Sequence, residues 1–438
     1  MNDEPRPSPA ASALLPALFI ASLFALSYTT RVSVSPTLVA SFRQASALLV
    51  VWGVVLAVRA GLSGRVPAFD YRPVKAHYVQ ALVQLAVYVY WGRYWTVIYD
   101  QTLIVLAQIL FTYAADVLLH WSRGDRYRLG FGQFPIILST NLFLCFKDDW
   151  FHFQFLLILV AVLGKALIRW DRAGRQTHIF NPSALALFLC SVGLLATGTT
   201  EHTWAQEIAI NLGRPDYIFL EIFFLGLIVQ YLFDVTLVTL GAAAALYVLN
   251  TVYTLTTGAY WFLDAGIPIA VFLGLHLLVT DPATSPKTDR GRFVFGALYG
   301  AGVFAAFGLL EWWGAPRFYD KLLCVPILNI AVQFLDRVAR RTRAVAGGLG
   351  ALRPGRTATR GSLVYLTVWV GLFSLMYTTD FIGKGHPGRT LEFWETACQD
   401  QRQDACGSLL RLLHNRCAAG DPDACVREDS LVVSVPAA

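Results

Sequence analysis

Two polar, proline-punctuated links interrupt an otherwise apolar chain, and their residue types suit the holding of a polar group. The first, RQTHIFNPSALALF, places Asn181 where an N-cap belongs and Pro182 at the first position of the helix expected over the apolar run to Thr197. The second, HLLVTDPATSPKTDRGRFVFG, leaves an apolar run at Thr280, meets Asp281 and Pro282, presents Thr284 and Ser285, and enters another apolar run at Phe293. Proline ends helical hydrogen bonding at such a point. A helix N-terminus offers unpaired amides and the positive end of a dipole, so with nearby hydroxyls it can hold a phosphate or an electron-rich ring edge. Capping alone also explains Asn181 and Pro182. A plain turn explains Asp281, Thr284 and Ser285 less well, because two prolines and several polar groups exceed what a turn requires. Lys165 ends the preceding apolar run and can either face the same region or snorkel to a membrane surface.

Membrane helices must position these links. Of the 438 residues, 56% are hydrophobic and 15% charged, far from the average of a soluble protein. Runs fit to cross a hydrocarbon core, which takes roughly 20 residues, recur about thirteen times between 11–28 and 361–378, among them those near 132–146 and 265–280. The first run reads as retained rather than as a signal peptide, since its leader MNDEPRPSPA is acidic and proline-rich. Cations alternate between loops. One set carries Arg59, Arg65, Arg72 and Lys75, then Arg123, Arg126 and Arg128, then Arg169, Arg172 and Arg175, then Lys287, Arg290 and Arg292, and finally the run 337–360. The other set keeps Arg31, Arg93, Lys147 and Arg214. Because basic loops stay cytoplasmic, this predicts a cytoplasmic N-terminus, an odd number of spans and an extracytoplasmic C-terminus. The net charge of +6 is spread over short loops, which argues against a nucleic-acid partner. Within the spans, Asp100, Asp116, Glu221 and Asp234 are candidates by being ionisable. Asp116 and Asp234 lie near expected helix ends, where solvation explains them, whereas Glu221 suits an ion or proton path. His276 is read as a core histidine, and the spans show no set of residues with metal-ligand spacing.

Beyond Asp380 the chain turns polar, and Cys398, Cys406, Cys417 and Cys425 form two C-x7-C pairs. On one unbroken helix such a pair would stand about 12 Å apart, beyond the roughly 7 Å that a disulfide tolerates between Cα atoms. The chain must therefore turn within each pair if it is bridged, and GDP at 420–422 supplies a turn for the second. A zinc site is the alternative, but C-x7-C lacks the tight bite of structural zinc ligands. The expected extracytoplasmic location favours disulfides.

The pieces GKALIRWDRAGRQTHIFNPSALA and LLVTDPATSPKTDRGRFVFGALYG resemble the two signature regions of the RnfD/NqrB family, the D subunit of Rnf electron-transport complexes and the B subunit of sodium-translocating NADH:quinone reductase. TWAQEIAINLG resembles the periplasmic segment of that family, and the resemblance covers roughly 76–338. It implies an all-α, polytopic membrane protein of two repeated halves in a bacterial inner membrane. It also implies a flavin, FMN or riboflavin, with Lys165, Asn181, Pro182, Thr280, Asp281, Thr284 and Ser285 around it and its apolar edge near Phe180 and Phe293. Family members carry FMN on the threonine of an S-G-A-T loop that follows the periplasmic segment. Here the loop between Asn211 and Tyr217 is too short, and TGTT at 197–200 precedes that segment, so no covalent flavin is expected on Thr200. Shortened UnbU-type relatives, which also lack the loop, look more similar still. The tail resembles the cysteine-rich Sel-one-like repeats, which implies the pairs Cys398–Cys406 and Cys417–Cys425.

The expected organisation is N-terminal membrane helices over 1–75, the family-like domain over 76–338, a basic cytoplasmic linker over 339–360, a last span over 361–380 and the cysteine-rich tail over 381–438. Three functions follow from the residues and the resemblance. The chain is a redox-complex subunit that passes electrons with membrane or periplasmic partners, an oxidoreductase component if redox-active. Otherwise it is a scaffold presenting the tail to an extracytoplasmic partner, or a transporter with the urea-channel-like fold of the family.

Overall fold

The computed structural model describes residues 9–63, 69–124, 126–172, 174–345, 358–402, 404–418 and 421–434. A helix forms in every apolar run. In chain order these are Pro9–Leu26, Pro36–Ser63, Lys75–Gly92, Thr102–Arg123, Gln133–Phe143, His152–Leu167, Pro182–Thr197, Ile218–Phe233, Thr236–Thr257, Ile269–Leu277, Asp289–Trp312, Asp320–Val345 and Ala358–Thr378. Stretches long and apolar enough to cross a membrane are Pro36–Leu62, Val97–Arg123, Thr236–Thr257, Asp289–Trp312 and Arg317–Arg341, and several shorter apolar helices stand beside them. The chain is a multi-pass membrane protein.

Run length overstated two of the expected spans. Gln133–Phe143 has 11 residues and Ile269–Leu277 has 9. At 1.5 Å per residue they rise about 16 and 14 Å, roughly half of a hydrocarbon core. Both are almost wholly buried. The apolar runs continue past them into irregular backbone, Leu144 being extended at φ −154°, ψ 130°. Hydropathy cannot separate a helix from buried extended chain, and such chain is tolerated at membrane depth only under protein cover.

The two short helices have matching surroundings. Lys75–Gly92 and Thr102–Arg123 flank the first, Ile218–Phe233 and Thr236–Thr257 flank the second, and each set continues into an adjacent packed pair. His152–Leu167 packs on Pro182–Thr197, Asp289–Trp312 on Asp320–Val345, and the sets join where Asp320–Val345 lies along Pro182–Thr197. The segment FGALYG has a packing reason. A Cβ at Gly296 or Gly300 would run into the backbone of Thr236–Thr257, and one at Gly241 into that of Asp289–Trp312, so small residues allow the close approach that stabilises helix pairs in lipid. The N-terminal helices Pro9–Leu26 and Pro36–Ser63 pack on Thr102–Arg123 around a second core.

The all-α expectation needs one correction. Arg169–Arg172 and Arg175–His178 form an antiparallel hairpin, and Phe69–Tyr71 pairs in parallel with Tyr127–Leu129. Gly174, at φ 77°, makes the hairpin turn, where its N–H donates to Asp171 Oδ1 at 3.1 Å. The arginines of this stretch hide the strand pairing in a hydropathy reading.

At the other end lies the tail, built from Leu391–Gln399, Ala405–Ala418 and Pro422–Ser434. Cys398–Cys406 and Cys417–Cys425 are disulfides with Cα separations of 4.6 and 4.7 Å, each stapling the end of one helix to the start of the next. Trp394, Leu409 and Leu413 form a small core that takes in Ala259 and packs on Tyr260 and Leu263 of the membrane domain. Arg402 donates to Gly258 O at 2.8 Å, and Arg411 pairs with Glu311 at 3.1 Å. Asp289 and Glu311 belong to one helix and stand about 33 Å apart along it, so the tail and the link ending at Thr288 occupy opposite ends of the bundle. Residues 346–357 of the basic linker lie outside the described residues.

Candidate functional site

The hairpin end gathers both links. Asn181 caps Pro182–Thr197, its Oδ1 accepting from Ala184 N at 3.2 Å and Ser183 Oγ at 2.9 Å, with Pro182 at the first helical position as expected. The Asn181 Nδ2 donates to Leu278 O at 2.9 Å. Asn329 completes the junction, accepting from Asn181 N and donating from Nδ2 to Thr284 O, each at 3.1 Å. One asparagine therefore ties the two links together.

The second link is folded on its own polar groups. Thr280 Oγ1 donates to His276 O at 2.6 Å, Asp281 Oδ1 accepts from Ala283 N at 2.9 Å, and Asp281 Oδ2 accepts from Thr284 Oγ1 at 3.0 Å. Ser285 Oγ donates to Asp281 O at 2.6 Å. The structure thus brings Asn181, Pro182, Thr280, Asp281, Thr284 and Ser285 into one region, with Asn181, Thr280, Thr284 and Ser285 buried. Burial works to raise the Asp281 carboxyl, but His178, with Nε2 at 3.5 Å, and the two local donors outweigh it and hold Asp281 below the usual carboxylate value. Lys165 sits in the last turn of His152–Leu167 and faces a different neighbour set. A Cβ on Gly132 would lie 3.8 Å from its Nζ and 3.2 Å from His77 Nδ1, which puts it by the start of the short helix Gln133–Phe143.

The residues that lock the link were not singled out from sequence. Arg172 reaches from the hairpin to donate to Ala283 O at 3.1 Å, Ser285 O at 2.9 Å and Asp336 Oδ2 at 2.9 Å. Asp336 also accepts from Lys287 N, Thr288 N and Thr288 Oγ1 within 2.9 to 3.1 Å. Thr288 then caps Asp289–Trp312 through Gly291 N at 3.2 Å. A usable signal existed: Asp336 is a lone acid in the run FLDRVARR, and Asn329 is an amide set among apolar residues in PILNIAV.

Among the intramembrane acids, Asp116 departs from expectation. It is buried rather than solvated, its Oδ2 accepting from Gln133 Nε2 at 2.5 Å while Oδ1 lies 3.4 Å from His120 Nδ1, because Gln133–Phe143 begins against its helix. Asp234 is exposed and pairs with Arg292 at 2.7 Å. Glu221 Oε2 is buried without a hydrogen-bond partner among the described residues. His276 Nδ1 bonds Phe272 O at 2.8 Å as a core histidine would, yet its Nε2 and both amide atoms of Gln230 lack partners among the described residues. A bonded amide cluster joins Asn141 of the first short helix to Gln108, and Gln108 to Gln154. Three cavities, of about 220, 440 and 630 Å³, are lined by residues other than Asn181, Pro182, Thr280, Asp281, Thr284 and Ser285.

Fold and polar junction together define a multi-pass helical membrane protein in which two half-length helices and two bonded links sit inside the bundle. Over 73 residues, 16% of this chain, it is 40% identical to the D component of the ion-translocating oxidoreductase complex of Tolumonas auensis. That stretch spans 19% of the relative, so the chain matches under a fifth of the curated protein's length. The chain matches no protein-family model.

Proposed function

We propose that the protein is a membrane subunit of a redox complex that holds a flavin, FMN or riboflavin, without a covalent bond at the junction of the two links, and passes electrons through or along the membrane. The observation that carries this is the 40% identity over 73 residues to a component of an ion-translocating oxidoreductase complex. The bonded junction is in keeping with it. Asn181, Thr284 and Ser285 are hydrogen-bonding groups on rigid elements, and a flavin's ring carbonyls and N5 would accept from such donors after a local exchange of partners. Asp281 and Thr280 shape the turn, Pro182 fixes the helix start, and Lys165 with His77 would face a phosphate or ring edge from the neighbouring helix end. In this reading the short helices are half-spans of two repeated halves, the basic hairpin end is cytoplasmic and the stapled tail extracytoplasmic. The tail, of Sel-one-like type, would contact membrane or periplasmic subunits, and the chain would belong to the UnbU-like branch.

The visible spectrum of the purified protein tests it. A flavin band that dithionite bleaches is expected, reduced in Asn181→Ala and Asp281→Ala, since each loses a buried hydrogen bond worth about 1 to 3 kcal/mol. Equal flavin content in all three proteins would confine these residues to capping. After acid precipitation no fluorescent band should remain on the protein; one that Thr200→Ala removes would refute non-covalent binding. The docked tail favours a second reading, a scaffold for an extracytoplasmic partner, in which deleting 390–438 abolishes assembly while the spans still fold.

A further inference from the structure

The largest of the three cavities, about 630 Å³, lies between the tail and the membrane domain at the end opposite the two links. Its size falls within the range of small-molecule sites, roughly 300 to 1,000 Å³. One wall carries a pair of guanidiniums. Arg317 and Arg411 share a single carboxylate, Glu311, with Arg411 Nη1 at 3.1 Å. Arg411 Nε is also buried without an acceptor among the described residues, a state that calls for an absent partner. On the same lining Lys321 pairs with Asp320 at 2.9 Å, and His414 Nδ1 lies 2.8 Å from Glu428 Oε1. One acid is left over: Asp264 makes no ion pair among the described residues. Burial pushes its carboxyl up, and Arg389 offsets only part of that. The lining therefore offers one guanidinium N–H that still needs an acceptor and one acid that a cation would favour.

The rest of the lining is apolar. Phe262, Phe307 and Phe318 contribute ring surface, and beside them Trp312 and Trp313 are 85% and 65% exposed. Exposed tryptophans at a helix end mark the level of lipid headgroups. A ligand that spans this lining must join an anion to a cation and carry an apolar body.

We propose that the cavity between the tail and the membrane domain binds a phospholipid with a primary-amine headgroup, its phosphate on Arg317 and Arg411 and its ammonium at Asp264. The lipid then acts as a wedge that fixes the tail on the bundle, because Arg411 belongs to the tail and the other two residues to the membrane domain. The disulfide Cys417–Cys425 keeps the Glu428 helix against the helix that carries Arg411, so it holds one side of the site in place. This site is separate from the flavin junction and independent of it.

Delipidated full-length protein is mixed in detergent with short-chain phosphatidylethanolamine, short-chain phosphatidylglycerol, glycerophosphoethanolamine or inorganic phosphate, and binding is read by native mass spectrometry. Phosphatidylethanolamine should bind about tenfold or more tightly than phosphatidylglycerol, the loss expected when one charge-assisted hydrogen bond is missing. Arg411→Ala and Asp264→Asn should each weaken it by a similar factor, while Arg427→Ala, at a pair off the cavity lining, should leave it unchanged. Elution volume and intact disulfides show that the variants are folded, and Arg411→Lys replaces Arg411→Ala if that variant fails. Equal binding of phosphatidylglycerol would overturn the ammonium subsite. Equal binding of glycerophosphoethanolamine or phosphate would overturn the lipid, and unchanged binding by both cavity variants would overturn the site.

Discussion

Removing the Asp336 carboxylate should unfasten the second link. Its side chain is 7% exposed, and that of its partner Arg172 is 11% exposed. The carboxylate accepts from Arg172, from the backbone of Lys287 and Thr288 and from the Thr288 hydroxyl. Deleting one member of a buried pair costs about 3 to 5 kcal/mol. The lower end applies, because Arg172 keeps the carbonyls of Ala283 and Ser285. About 3 kcal/mol corresponds to roughly a hundredfold rise in the open population of the link. Asp336→Asn keeps an acceptor oxygen and should cost about 1 to 2 kcal/mol. The assay is the rate of maleimide labelling of Thr284→Cys, in a background where Cys145, Cys190 and Cys324 are alanine, since Thr284 is buried in the closed link. Asp289→Ala serves as control, its carboxylate being 59% exposed. If Asp336→Ala and the control label at the same rate, Asp336 does not hold the link and the junction is fixed by other contacts.

Non-reducing peptide mapping should recover Cys398 joined to Cys406 and Cys417 joined to Cys425, and free thiols at all four positions would defeat the tail's stapled architecture. With a sequence separation of 8, losing the second bridge through Cys417→Ser and Cys425→Ser should cost the tail about 2.5 kcal/mol by loop-closure entropy, measured as its resistance to protease. Acid should loosen the same region through His386. Burial foremost, and then the adjacent Arg389, lower its pKa to about 4, against about 6.5 when unfolded. Between those values the unfolded chain binds a proton that the folded one refuses, so stability is full above about pH 6.5 and falls by up to about 3 kcal/mol as pH drops to about 4. Protease resistance of the tail at pH 7 and 4.5 checks this, and His386→Gln should flatten the difference; an unchanged slope would mean that another group titrates there.

Much of the molecule was legible without coordinates where one residue and its near neighbours decide the outcome. Asn181 and Pro182 read as a cap and first-turn proline, and they are that. The C-x7-C spacing pointed to stapled helix ends, which the disulfides form. The hairpin was less legible, because Arg169, Arg172 and Arg175 look like a charged loop whichever way the backbone pairs. Asp116 was misread since its neighbour in space, Gln133, is distant in sequence.

By itself, the sequence determined that the chain lives in a membrane, which segments are apolar helices, that one of them starts behind Asn181, and that the tail is closed by two local bridges. Hydropathy, caps, prolines and short cysteine spacings are local properties, so local reading captures them. Tertiary structure alone decided that two apolar runs yield only half-length helices, that Asn329 joins two links roughly a hundred residues apart, that Asp336 ties the second of them to Arg172 of the hairpin, and that the tail encloses a charged cavity with Glu311 and Arg317. Each of these depends on which surfaces meet across the bundle. Whether a buried polar group is satisfied, and by whom, is fixed by that meeting rather than by the residue's own neighbours in the chain.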